Sequence, residues 1–125
     1  MLLLVVALLA AACAPAATPT AEPAKPFRIA VVMPSAITDA AFSQSMWNAL
    51  KAVQTEMGGE SALELAYSEG MFNVPDAAAA IRDYATQGFD LVIAHGSQYG
   101  ASVQEVAPDF PKTSCAWGPN VDTVG

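Results

Sequence analysis

One stretch near the start of the chain restricts its fold more than any other: an apolar run that breaks at a proline and leads through a polar loop into a helix. The run covers residues 29–33, IAVVM, and Pro34 ends it. Near-continuous apolar character over such a run is typical of a strand covered on both faces, as in parallel sheets. The loop after Pro34 then lies at the carboxyl end of that strand, where open α/β sheets bind their ligands.

Candidate binding residues follow from this position. The first loop and the start of the next helix supply Ser35, Thr38, Asp39, Phe42, Ser43 and Gln44. A second strand-to-loop step of the same design, FDLVIAHGSQYG, covers residues 89–100. Because the carboxyl ends of parallel strands meet at one edge of a sheet, the two loops together predict a pocket wall.

Helices and strands alternate along the rest of the chain. Apolar residues at helical spacing predict a first helix that packs its apolar stripe in the core and stops at Gly58 and Gly59. The stripe consists of Phe42, Met46, Ala49, Leu50, Val53 and Met57. Alternation over residues 63–67 predicts a second strand near the edge of the sheet.

The second half of the chain repeats this alternation. Its patterns predict a helix from Pro75 to a cap at Gly88, a strand at 89–94, a helix at about 100–107 and a strand at 113–117. The order βαβαβαβ predicts an α/β fold with a parallel sheet and right-handed crossovers.

Charge and composition exclude several function classes. The formal net charge is −7 and the five Lys and Arg residues do not cluster, so we expect no nucleic-acid partner. The sequence offers no set of metal ligands, and we expect neither a metal nor a cofactor. The single histidine, His95, has no carboxylate or nucleophile spaced to make it a general base, which favours a role in loop geometry.

The first 26 residues predict export and anchoring. Residues 1–12 form an apolar run too short to span a bilayer, and it ends in Ala-Ala-Ala before Cys13. This resembles a bacterial lipoprotein signal, in which the cysteine carries lipid and becomes the new first residue. Ala10 departs from this pattern, which prefers a larger residue there. No Lys or Arg precedes the run, and because of this missing charge we expect the true start codon further upstream. Residues 14–26, rich in Ala, Pro and Thr, predict a flexible tether.

Cys115 is then left without a partner for an internal disulfide. It lies in a short apolar strand, which favours a packed and inert thiol.

The two loops and their surroundings carry a family resemblance. The order of strand, MPSAITDAAFSQ, helix, DYATQGFDLVIAHGSQYG, VQEVAPDFP and strand, over residues 27–117, resembles the amino-terminal lobe of the basic membrane protein (BMP) family. These are lipoprotein substrate-binding components of ABC transporters, similar to purine nucleoside-binding proteins. The resemblance implies a type I periplasmic-binding fold, in which two α/β lobes close on a small solute. Residues 27–125 then form a partial amino-terminal lobe, and because the chain stops at Gly125 we expect a fragment.

The resemblance also implies roles for individual residues. Asp39 would accept a hydrogen bond from the ligand, the Phe42 ring would stack on a base, and Ser43 stands where the family usually has Asn. The second loop matches a small polar turn that approaches the ligand through backbone groups: His95, Gly96, Ser97 and Gln98. The family's nucleoside binders tend to place an acid just after the fourth strand, whereas this chain has Trp117, Gly118, Pro119 and Asn120. A nucleoside or similar small polar solute is the ligand class that this implies.

Simpler interpretations stay open for two of these residues. Asp39 also suits the positive amino end of the first helix without any ligand, and Phe42 also begins the apolar stripe of that helix. At the level of function, the sequence and its family resemblance predict a non-catalytic, lipid-anchored binding protein. Such a protein presents a solute to ABC permease subunits outside the cytoplasmic membrane. The alternatives are a small flavodoxin-like enzyme with Asp39 as its active acid and the ligand-binding domain of a regulator.

Overall fold

Four strands and three helices alternate along the chain. The computed structural model describes residues 25–118. The strands are β1 (Phe27–Val32), β2 (Leu63–Ser68), β3 (Leu91–His95) and β4 (Ser114–Gly118); the helices are α1 (Phe42–Glu56), α2 (Val74–Thr86) and α3 (Gly100–Val106). The predicted α/β order is confirmed. The predicted lipidation site Cys13, most of the predicted tether and Asn120 lie outside the described residues.

The sheet is parallel throughout, with the strand order β2-β1-β3-β4. Ile29 of β1 pairs with Leu65 of β2 on one side and with Leu91 of β3 on the other. The chain therefore moves from β1 to one neighbour and then crosses back to the opposite side. The carboxyl ends of β1 and β3 therefore form a topological switch point, which is where open α/β sheets bind ligands.

Both faces of the sheet are covered, which explains the apolar run of β1. Successive side chains of a strand point to opposite faces. Ala30 and Val32 pack with Ile81 of α2 and Val106 of α3 in one core cluster. Ile29, Val31 and Met33 pack with Leu50 of α1 in a second cluster on the other face.

The predicted inner face of α1 was partly wrong. Leu50 is buried as expected and Met46 packs on the core. Ala49 is exposed, and Phe42, Val53 and Met57 are exposed by 39, 42 and 50%. Ser43 and Gln54 occupy the buried face instead. The helix is rotated toward these polar residues because each is held by hydrogen bonds: the side-chain amide of Gln54 donates to the Leu63 carbonyl at 2.7 Å. The spacing of apolar residues cannot predict that a polar side chain is buried with its hydrogen bonds satisfied.

The strand β3 begins at Leu91, two residues later than predicted. Gly88 ends α2 with a φ of +73°, the left-handed conformation that glycine adopts most readily. The Phe89 amide then donates back to the Tyr84 carbonyl at 3.2 Å. Phe89 therefore belongs to the end of the helix. Among residues 25–118, no helix is long and apolar enough to cross a membrane.

Candidate ligand-binding site

Phe42 and His95 bring the two predicted loops together at the carboxyl ends of β1 and β3. Their rings stack with a centroid separation of 3.9 Å and an angle of 15° between planes. The His95 Nε2 atom lies 3.2 Å from the Phe42 carbonyl oxygen. Because Phe42 keeps part of its ring exposed, the pair presents an aromatic surface on which a planar ligand could stack.

The Asp39 carboxylate is fully engaged by its own loop and helix. Oδ1 accepts hydrogen bonds from the amides of Ala41 at 2.8 Å and Gln44 at 3.1 Å. Oδ2 accepts from the Ser35 hydroxyl at 2.5 Å and the Ser43 amide at 3.1 Å. A carboxylate offers about four acceptor positions, and these four donors use them.

These hydrogen bonds hold the pKa of Asp39 far below its usual range, and the Ser35 hydroxyl is the largest contributor. The carboxylate is therefore charged at neutral pH. It satisfies amides at the start of α1, which has no side-chain hydrogen bond from its N-cap residue, Ala41. Sequence reasoning expected a ligand contact or a helix-end role for Asp39, and the geometry in the described chain is that of the helix-end role.

Ser43 supports the same network from inside the protein. It is fully buried, and its hydroxyl oxygen lies 2.7 Å from the Ser35 hydroxyl oxygen. Since Ser35 donates its proton to Asp39, Ser43 donates to Ser35, and the Ser35 amide donates to the Ser43 hydroxyl at 3.3 Å. This burial leaves Ser43 no exposed surface for a ligand.

Gln44 holds the bend between the loop and α1. Ala40 has a φ of +58°, which is uncommon for a residue with a side chain. Its amide donates to the Gln44 Oε1 atom at 2.8 Å. The Gln44 Nε2 group donates to no acceptor among residues 25–118, and it remains a free donor beside the loop.

The turn after β3 uses its glycine for internal packing. The Gly96 amide donates to the Ala94 carbonyl, and the Gly96 carbonyl accepts from the Tyr99 amide and from the Trp117 indole at 3.0 Å. A Cβ at position 96 would lie 2.6 Å from the Tyr99 ring. The polar backbone groups of Gly96 are therefore paired within the protein, and its approach to a ligand stays a prediction.

Ser97 and Gln98 keep polar side chains at this edge. Ser97 is exposed and Gln98 is half-buried. Neither side chain forms a hydrogen bond with another described residue. Behind them, Gly100 packs so closely on Trp117 that a Cβ there would lie 2.4 Å from the indole ring. Trp117 thereby holds the turn from its inner side.

Sequence reasoning missed a third loop at this edge, residues 69–73. The Ile37 amide donates to the Glu69 carboxylate at 2.7 Å, and the Tyr99 hydroxyl donates to the Met71 carbonyl at 2.7 Å. The loop also presents Phe72, which is 78% exposed. This loop lies at the same edge because β2 is parallel to β1 and ends there. The predicted parallel sheet was the signal in the sequence that could have located it.

Two further titratable groups are affected by burial. Desolvation lowers the pKa of His95, outweighing the opposite effects of the Phe42 carbonyl and the Asp39 charge, so the imidazole is neutral at pH 7. Burial raises the pKa of the Cys115 thiol, as expected for a packed and inert group. Among residues 25–118, no group of three or more His, Cys, Asp and Glu residues is arranged to hold a metal ion.

Two solved ABC transporter solute-binding proteins share this fold. A solute-binding protein from Conexibacter woesei DSM 14684 matches with a TM-score of 0.67 and 22% identity, over 75% of this chain and 30% of that chain. A second, from Aeropyrum pernix K1, matches with a TM-score of 0.65 and 15% identity, over 78% of this chain and 26% of that chain. At these identities the likeness concerns the fold, and the chain spans less than a third of either protein.

The sequence specifies the family. The sequence model of the Bmp family, described as ABC transporter substrate-binding protein PnrA-like, matches residues 27–117. The chain belongs to this family, as the loop motifs predicted, and the family is one of substrate-binding proteins rather than enzymes. A comparison with curated proteins found no significant match.

Proposed function

We propose that this chain provides one lobe of an extracytoplasmic solute-binding protein that delivers a small polar solute to an ABC permease. Membership of the Bmp family over residues 27–117 supports the class of function. The observation that carries the site is the Phe42–His95 ring stack at the switch point of the sheet. It joins the loops of β1 and β3 and leaves an aromatic ring open at the edge where ligands of such sheets bind.

The solute that best suits this edge contains a planar ring and several hydrogen-bonding groups, as a nucleoside does. Phe42 would stack on the ring, a contact worth about 1–3 kcal/mol for a base on an aromatic side chain. The Gln44 amide, the Ser97 hydroxyl and the Gln98 side chain supply unpaired polar groups around it. No carboxylate is needed in direct contact with the ligand.

The predicted site residues divide into two groups under this proposal. Asp39, Ser43 and Gly96 support the loops, because their polar groups are paired internally. Phe42, Gln44, His95, Ser97 and Gln98 face the ligand. The same division argues against an enzyme with Asp39 as its active acid, since a fully paired carboxylate has no position left for a substrate.

Membrane attachment belongs to the same proposal. Lipidation of Cys13 would hold the protein on the outer side of the cytoplasmic membrane, and residues 14–26 would let the lobe reach the permease subunits. A second lobe would close over the solute and cover its other side, because ligand pockets bury most of the ligand surface. One lobe alone therefore binds weakly.

Nuclear magnetic resonance of the chain with millimolar adenosine or inosine tests the proposal, since it detects weak binding. We expect backbone amide shifts to change in residues 34–44 and 95–99. Phe42→Leu should weaken binding, whereas Phe27→Leu, which changes an exposed aromatic ring at the amino end of β1, should leave it unaltered. Sugars and amino acids serve as comparison ligands. Equal binding by both variants would remove Phe42 from the site, and shifts confined to other regions would contradict its location.

A further inference from the structure

Several hydrogen-bond acceptors at the edge described above are already used within the protein. All acceptor positions of Asp39 are used by its own loop and helix. The Gly96 carbonyl accepts from Tyr99 and Trp117. The Gln44 Oε1 atom accepts from Ala40. A ligand with N–H or O–H groups therefore depends on the side chains of the second loop, those of His95, Ser97 and Gln98.

The imidazole of His95 has a defined tautomer in this structure. Its Nε2 atom lies 3.2 Å from the Phe42 carbonyl oxygen, and a carbonyl oxygen can only accept a hydrogen bond. The proton of the neutral ring is therefore on Nε2. The lone pair is on Nδ1, which is then an acceptor.

His95 as a whole is 8% exposed, and its described hydrogen bond engages Nε2 and leaves Nδ1 open. No described residue forms a hydrogen bond with Nδ1. Within the described chain, no buried side-chain nitrogen or oxygen lacks a hydrogen-bond partner. With no described partner, Nδ1 keeps its lone pair for a donor from a ligand. It lies on the ring that stacks against Phe42, beside the exposed aromatic surface.

We propose that His95 Nδ1 accepts a hydrogen bond from an N–H or O–H group of the bound solute, next to the ring that stacks on Phe42. This inference rests on the proposed function and deepens it, because it assigns to His95 the acceptor role that the motif suggested for Asp39. It also defines the solute further. Because His95 already covers one face of Phe42, the donor must be on a substituent, such as the hydroxyl of a sugar, that extends past the edge of the Phe42 ring to His95.

The proposal has a direct consequence for pH. Protonation of His95 places a hydrogen on Nδ1 and removes the acceptor, so affinity falls as the pH drops through the pKa of His95. Among the described residues, the charged group that acts on this ring is Asp39 on the loop after β1, and it favours protonation. Burial opposes this, so the acceptor form persists below the usual histidine pKa of 6.5. Binding should therefore be constant around neutral pH and weaken only in acid.

The first test needs no ligand. Nitrogen NMR of the uniformly labelled chain at pH 7 reports the two imidazole nitrogens, and the signals are unambiguous because the chain contains one histidine. We expect a protonated Nε2 and an unprotonated Nδ1. A proton on Nδ1 would overturn the proposal, because that atom could not accept.

The second test adds adenosine to the same sample. The Nδ1 signal should move toward the protonated position as it accepts a hydrogen bond, and His95→Phe, which retains an aromatic ring against Phe42, should weaken binding on the order of tenfold. Amide shifts in residues 34–44 without a change at Nδ1 would overturn this inference and leave the proposed function standing. If His95→Phe does not fold, the Nδ1 signal of the unmodified chain decides alone. An absence of amide shifts with every nucleoside would instead contradict the proposed function, and this inference with it.

Discussion

The Asp39 carboxylate accepts a hydrogen bond from the Ser43 backbone amide at 3.1 Å, so the loop after β1 is joined to the first turn of α1. Three other donors converge on the same carboxylate. The loop that carries the predicted binding residues is thereby held by an ionised side chain within it.

Asp39→Asn should destabilise the protein, because the amide nitrogen would face two donors in place of an acceptor. The pKa of Asp39 is lower in the folded state than its ordinary value of 3.8. Its contribution is therefore present above pH 3.8 and is lost as the pH falls toward the folded-state pKa. Urea unfolding of both proteins over a pH series should show a difference at neutral pH that shrinks in acid. Asp83→Asn, a change at an exposed carboxylate, serves as the control. A difference that stayed constant with pH would contradict the account.

Gly100→Ala should destabilise the fold by about 1–3 kcal/mol through overpacking against Trp117. The new Cβ would lie 2.4 Å from the indole ring, which must move. Gly118→Ala is the matched control, since a Cβ there has no neighbour within 4 Å and the expected change is within about 0.5 kcal/mol. Chemical denaturation measures both. Equal stabilities of the two variants would show that Trp117 does not restrict the turn.

Tyr99→Phe should cost roughly 0.5–1.5 kcal/mol, because the hydroxyl donates to the Met71 carbonyl. Burial raises the pKa of Tyr99 to about 12, from an ordinary value of 10.0. The unfolded chain therefore loses this proton first, and stability falls as the pH rises from 10 toward 12. The variant should show a shallower alkaline decline than the unmodified chain, and Tyr67→Phe at an exposed tyrosine should not. Identical slopes in all three would contradict the burial effect.

Cys13→Ala should abolish incorporation of a labelled fatty acid when the intact chain is expressed in a bacterium with an adequate signal. The apolar run that ends in three alanines before Cys13 motivates this expectation. Cys115→Ala is the control and should retain the label, because that thiol lies in β4. Label that survives Cys13→Ala would exclude Cys13 as the anchor.

Predictions from the sequence match the structure best where a local pattern of residue types coincides with the burial of those residues. The run at 29–33 is buried on both faces as predicted, because a central parallel strand with helices on both sides leaves no position for a polar side chain. Gly88 ends α2 at the position predicted from the sequence, because glycine adopts the left-handed conformation at little cost in free energy. These features depend on residues close in sequence.

The inward-facing residues of α1 and the contacts of Asp39 and His95 could not be predicted from the sequence and became known from the folded structure. Gln54 is buried because the Leu63 carbonyl, nine residues away, accepts its amide, and periodicity cannot anticipate that partner. The stack of Phe42 on His95 joins residues 53 positions apart. The order of strands and helices could be predicted from the sequence, since it follows from local apolar spacing and turn chemistry. The roles of the individual site residues required the fold, because hydrogen-bond partners and ring contacts are set by which distant loops the crossovers bring together.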